Sequence, residues 1–233
     1  MTGRASVWLR PPETDHGLPG AGPIRRGEWF DELWESRRTL FSSREAEDHG
    51  AVVFFGDSIT QDWGEGLPKS FPDWKTANRG ISGDTTRGML IRLQEDVVAL
   101  RPEAVVFLGG TNDLEEQATP ETIAGNVGLI LAGLRAARPD MPVVLCEVFP
   151  SSASLQRPRG RITRLNALYG ALAASDPHVT LLSTWAVFAN EHGDAKPSEF
   201  PDLLHPNDAG YTKWAATLLP VLSRVLSKGP RIR

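Results

Sequence analysis

Two five-residue runs, Ala51-Val-Val-Phe-Phe55 and Ala104-Val-Val-Phe-Leu108, are apolar at every position and pass directly into glycine. A strand with one face in water alternates polar and apolar residues. An unbroken apolar run of this length fits a strand covered on both faces, and such strands belong to parallel sheets flanked by helices. Shorter or weaker runs at Thr76–Ile81, Val143–Val148 and Val179–Leu182 supply three more strand candidates. Between them lie segments of helical spacing. Glu28 to Glu47 carries Phe30, Leu33, Trp34, Arg37, Leu40 and Phe41, and Thr85 to Leu100 carries Met89, Leu90, Leu93 and Val97. Thr119 to Ala137 opens on Pro120, a residue suited to a first helical turn. Pro158–Ala174 and Asn207–Leu226 hold the last two helices.

Strands alternating with helices predict an α/β fold. We expect a three-layer α/β/α sandwich around a five-stranded parallel sheet, in the flavodoxin-like order 2-1-3-4-5. Residues 28–228 read as a single catalytic-size domain. Residues 1–27, with Pro11, Pro12, Pro19, Pro23 and many glycines, read as an extended arm pinned by Trp8 and Leu9, or as a disordered tail. Residues 229–233 are a short C-terminal tail. In open sheets of this kind, ligands bind at the carboxyl ends of the strands, where the order reverses. The chemistry is therefore expected just after Phe55 and just after Leu108.

Composition narrows the function. Lys plus Arg number 25 against 29 Asp plus Glu, a net charge of −4, which disfavours a nucleic-acid partner bound through phosphate contacts. The one cysteine, Cys146, excludes disulfides and multi-thiolate metal sites within the chain, and lies in a predicted strand as core packing. No apolar run is long enough to span a membrane. Met1 to Asp15 has no apolar signal core, so a cytoplasmic location is the default expectation; a secreted or periplasmic one would require a removed signal. Oligomeric state is not encoded in any pattern we recognise.

Gly56-Asp-Ser-Ile-Thr60 follows the first strand, and Gly109-Gly-Thr-Asn-Asp113 the third. Asp57 and Ser58 suit a helix cap as well as a nucleophile turn. A serine nucleophile needs an imidazole base. His16 lies in the arm, His49 and His178 precede strands at the wrong end of the sheet, and His192 has no obvious partner. His205 follows the last strand, with Asp202 three residues earlier, a spacing that lets a carboxylate return to the ring; the same pair could merely shape a helix entry. No G-x-S-x-G elbow and no G-x-x-x-x-G-K-[ST] loop is present, which argues against the usual α/β-hydrolase nucleophile and against a P-loop.

The blocks occur together and in order. Gly56-Asp-Ser-Ile-Thr60, Asn78-Arg-Gly-Ile-Ser-Gly-Asp84, Gly109-Gly-Thr-Asn-Asp113 and Asp202-Leu-Leu-His205 resemble the four signature blocks of the SGNH hydrolases, the GDSL esterase/lipase superfamily. Asn78 to Arg87 and Leu90-Ile-Arg-Leu93 resemble the catalytic subunits of platelet-activating-factor acetylhydrolase and their bacterial relatives. The resemblance spans about Ala51 to Leu222 and implies a serine ester hydrolase without cofactor or metal. It assigns Ser58 as nucleophile, His205 as base and Asp202 as its orienting acid. It assigns the oxyanion hole to the Ser58 and Gly83 N–H groups and the Asn112 side chain.

It also implies a small-molecule ester substrate, with short acyl groups, acetyl first, and O-acetylated carbohydrate as one candidate. Lysophospholipase, thioesterase and arylesterase activities are alternatives within the superfamily. A non-catalytic sugar- or acyl-binding module is the alternative outside it. Asp57, Trp63 and Trp185 are weaker candidates for substrate contact, with core or rim packing as the competing role; Trp74 carries the same two readings. Arg157, Arg159, Arg161 and Arg164 read as a solvated helix entry or as a steering patch for an anionic substrate.

Overall fold

The computed structural model describes residues 9–227; Trp8 and the C-terminal tail lie outside that range. The strands are β1 (Val52–Gly56), β2 (Thr76–Gly80), β3 (Ala104–Leu108), β4 (Val143–Cys146) and β5 (Val179–Leu182). The helices, in chain order, are α1 (Glu28–Ser43), α2 (Glu45–Asp48), α3 (Ser58–Gln61), α4 (Gly66–Ser70), α5 (Thr86–Asp96), α6 (Thr111–Glu115), α7 (Pro120–Ala137), α8 (Arg159–Ala174), α9 (Thr184–Phe188) and α10 (Asp208–Ser227). All strand pairs are parallel, as the alternation predicts, and the order is β2-β1-β3-β4-β5, the one expected of the flavodoxin-like fold class.

The unbroken apolar runs have their reason in the two faces of this sheet. Val53, Phe55, Val105, Phe107, Val143 and Leu145 pack with α5, α7 and α8. Val52, Phe54, Ala104, Val106, Val144 and Cys146 belong to a second cluster with Trp214, Leu218 and Leu222 of α10. A third, smaller cluster places Phe30, Trp34 and Phe41 of α1 against Ile81, just past the end of β2. β1, β3 and β4 are buried at every position, so these strands need no polar alternation, whereas the edge strands β2 and β5 are partly exposed.

Boundaries differ where local chemistry overrides periodicity. The segment read as one helix from Glu28 to Glu47 breaks at Arg44. The turn brings Asp48 into a buried ion pair with Arg79 at 2.8 Å. The helix predicted through Leu100 ends at Asp96 and gives way to a tight turn, Val98–Leu100, ahead of Pro102. α3, α4, α6 and α9 have four or five residues each, too few to show a helical period in sequence.

The arm contains no helix or strand from residue 9 to 26, yet it is fastened. Leu9 is 42% exposed and does not pin it. The fastening is polar. Arg87 of α5 donates to the Pro19 and Gly22 carbonyls and pairs with Asp15 at 2.6 Å. Asn126 of α7 exchanges two hydrogen bonds with Ala21, and Thr85 donates to the Pro23 carbonyl. Ile24 is a buried apolar anchor, and Pro11 and Pro12 are buried as well.

Arg92 of α5 is wholly buried. Its guanidinium donates to the Gly56 carbonyl at the end of β1 and to the Arg79 carbonyl in β2, each at 3.0 Å. It pairs with Asp84 at 2.7 Å and with Asp96 at 3.3 Å, and lies over the Phe55 ring. Removing one partner of such a set strands the others without solvent. Arg92→Met should therefore lower the unfolding free energy by about 3–5 kcal/mol. Urea denaturation followed by tryptophan fluorescence measures it, and a loss well below that range would mean the clamp is not load-carrying.

Candidate active site

β1 and β3 are neighbours whose following connections diverge, and the crevice between their carboxyl ends receives both glycine-bearing turns. After β1, Asp57 caps α3 by accepting from the Ile59 N–H at 3.0 Å, and Ser58 becomes the first helical residue. α3 then passes so close to β2 that a Cβ at Gly80 would collide with the Gln61 backbone. Glycine there is a condition of the approach.

His205 reaches Ser58 from the other side. Its Nε2 lies 2.9 Å from Ser58 Oγ, and its Nδ1 lies 2.6 Å from Asp202 Oδ2. Asp202 Oδ1 accepts from the Leu204 and His205 N–H groups at 3.0 and 2.7 Å. The turn closes because Leu203 adopts a left-handed conformation, φ 63°, and the Ser151 hydroxyl holds its carbonyl at 2.9 Å. Partial burial works against the Asp202 carboxylate. The hydrogen bonds from the ring and the backbone outweigh it and hold the group below the usual carboxylate range. With the ring proton on Nδ1, Asp202 accepts it and Nε2 is free to accept from Ser58.

The segment after β2 lies between α3 and α6. The Ser82 N–H donates to Gln61, and Asn112 Nδ2 donates to the Asp84 carbonyl at 3.0 Å. One hydrogen of that amide is thereby used, and the other remains. Gly83 has φ 82°, a conformation that favours glycine. A Cβ there would also lie 2.8 Å from the Trp29 ring and 3.2 Å from Arg25. Among the described residues, no protein acceptor takes the Ser58 or Gly83 N–H.

Asn112 is held from its other end by Arg157. Arg157 Nη2 sits 3.5 Å from Asn112 Oδ1 and 3.0 Å from Glu115. Its Nε donates to the Thr111 carbonyl and hydroxyl, both at 3.0 Å. Burial disfavours the Glu115 charge, but hydrogen bonds from Arg25 and the Arg157 cation overcome this and keep its carboxyl below the usual range. Arg157 is thus neither solvated nor a steering charge. Arg161 braces the Leu114 and Ala118 carbonyls, and Arg164 pairs with Glu121 at the surface. The structural use of Arg157 was hidden because most of its acceptors lie on α6, 45 residues away for Asn112.

Two of the weaker substrate-contact expectations do not fit. Asp57 is fully buried beneath the Ser58 turn, and burial pushes its carboxyl up to about 7. Trp63 is 4% exposed in an aromatic core with Phe54, Phe71, Tyr211 and Trp214. Trp185 is half-buried on α9 and packs against the α8 side of the core. Cys146 is buried in β4, and burial pushes its thiol far up. Among the described residues, no three His, Cys, Asp or Glu side chains are grouped to hold a metal, and no helix is long and apolar enough to cross a membrane.

Residues 54–213 match the GDSL-like lipase/acylhydrolase family. Platelet-activating factor acetylhydrolase IB subunit alpha2 of Homo sapiens is 26% identical over 208 residues, 86% of this chain and 88% of that protein. Subunit alpha1 of Bos taurus is 28% identical over 205 residues, 85% of this chain and 86% of that protein. A GDSL-like lipase of Bacteroides thetaiotaomicron superposes with a TM-score of 0.70 at 25% identity, covering 80% of this chain and 97% of that one. The chain belongs to the GDSL-like lipase/acylhydrolase family and is an ester hydrolase of the SGNH type.

Proposed function

We propose that this enzyme hydrolyses short-chain acyl esters, acetyl first, through an acyl-enzyme on Ser58, with O-acetylated carbohydrates as a substrate class. The observation that carries this reading is the line Ser58–His205–Asp202, with contacts of 2.9 and 2.6 Å, beside two N–H groups that lack a protein acceptor among the described residues. The acetyl preference draws support from relatives whose name denotes acetyl-ester hydrolysis.

Ser58 Oγ attacks the acyl carbon while its proton passes to His205 Nε2. Asp202 stabilises the imidazolium without taking the proton. The carbonyl oxygen becomes an oxyanion and receives the Ser58 and Gly83 N–H groups and the free N–H of Asn112. Collapse breaks the ester C–O bond, and His205 returns the proton to the departing alcohol. Water then repeats the sequence on the acyl-enzyme: His205 takes its proton, and the carboxylic acid leaves as Ser58 is reprotonated. Arg157 touches no reacting atom in this scheme; it fixes the Asn112 amide so that its N–H stays aimed at the oxyanion.

Loss of one oxyanion donor lowers kcat by about 10²–10³ in comparable sites. Asn112→Ala should fold normally and fall in that range, with kcat rather than KM carrying the loss. An Asn112→Ala enzyme of wild-type kcat would remove Asn112 from the mechanism. The acyl preference is tested by a series of p-nitrophenyl esters from acetyl to dodecanoyl. We expect kcat/KM to peak at the shortest members. A maximum at octanoyl or beyond would favour the lysophospholipase or thioesterase alternative.

A further inference from the structure

Trp29, at the start of α1, is 55% exposed, the most exposed large apolar side chain among the described residues. It is not a stray surface residue. Its six-membered ring lies against Gly83, as the 2.8 Å to a hypothetical Cβ there shows. The exposed indole therefore stands beside the N–H assigned above to the oxyanion. Arg25, from the arm, lies 5.8 Å from the indole ring and also borders Gly83. Its Nη2 contacts Glu115 at 2.8 Å and Glu116 at 2.9 Å, and its Nε donates to Glu116. Both carboxylates are more than a third exposed, at 38% and 39%. Among the described residues, Arg25 Nη1 has no acceptor.

The chemistry of this rim is specific. Indole offers a broad apolar face. Arg25 Nη1 offers a donor, and the two carboxylates offer acceptors. Charges in the group cancel: Arg25 and Arg157 face Glu115 and Glu116. Neither an anionic nor a cationic ligand gains from a neutral cluster. A neutral polyol with one C–H face and hydroxyls around its edge uses every part of it.

We propose that Trp29, Arg25, Glu115 and Glu116 form a sugar subsite that holds the pyranose ring of an O-acetylated carbohydrate, stacked on the indole with the acetyl group directed to Ser58. This rests on the ester-hydrolase reading above and names the leaving group it serves. Trp29 is then a specificity-determining residue, supplied by a segment outside the four signature blocks.

The test compares two acetyl esters by acetate release: methyl tri-O-acetyl-β-xylopyranoside, which has the ring, and vinyl acetate, which has none. In Trp29→Ala the ratio of kcat/KM for the xyloside to that for vinyl acetate should fall about tenfold, through KM, and Trp29→Tyr should restore most of it. Equal losses on both esters would show that the indole only props the Gly83 loop, and would overturn the subsite. So would an unchanged ratio, or a wild-type enzyme that cleaves vinyl acetate but not the xyloside. A wild-type enzyme that cleaves neither would instead count against the acetyl-esterase reading itself.

Discussion

The structure depends on one buried cation. Arg92 joins the end of β1, the end of β2, and Asp84 at the close of the segment that carries Gly83. The Gly56 carbonyl it holds lies two residues before Ser58, and the Asp84 it pairs with is the next residue after Gly83. The proposed nucleophile and oxyanion donor lie on separate crossovers, and such a pair must keep its spacing to within a fraction of an ångström. Sheet hydrogen bonds fix the strands but stop at their carboxyl ends. A planar donor fork that reaches several carbonyl and carboxylate acceptors at once continues that restraint into the turns. Its burial makes the clamp unforgiving, because no water can replace a lost partner.

A second polar chain runs from the arm to the same crevice. Arg25 contacts Glu115, Glu115 contacts Arg157, and Arg157 approaches the Asn112 carbonyl oxygen. The arm is itself fastened to α5 and α7 through Arg87 and Asn126. A segment with no regular structure of its own thus reaches the Gly83 loop, because the helices it crosses present donors and acceptors to its free backbone. Its prolines suit this role: they set an extended path and remove N–H groups that would otherwise need partners.

Much of the layout was legible in the sequence. The apolar runs ending at Phe55 and Leu108 located the sheet centre, and the glycines after them located the crevice. Position relative to strand ends singled out His205, since the other histidines lie in the arm, before strands, or without a partner. What could not be read was the tertiary address of side chains. Trp63 sits near Ser58 in sequence, but α3 turns it under the sheet to meet Trp214. Arg92, inside Leu90-Ile-Arg-Leu93, looks like a charge misplaced on an apolar helix face, and its acceptors on β1 and β2 appear only in three dimensions. Trp29 carries no local sign of its contact with Gly83, which is 54 positions along the chain. The D-x-x-H spacing was visible, but the left-handed Leu203 that lets it close was not.

Covalent labelling reads the central claim directly. The wild-type enzyme treated with a fluorophosphonate should gain a single adduct, located by peptide mass spectrometry on Ser58, with labelling lost in Ser58→Ala and strongly slowed in His205→Ala. Equal labelling of wild type and Ser58→Ala, or an adduct on another serine, would contradict the assignment of Ser58 as the nucleophile activated by His205.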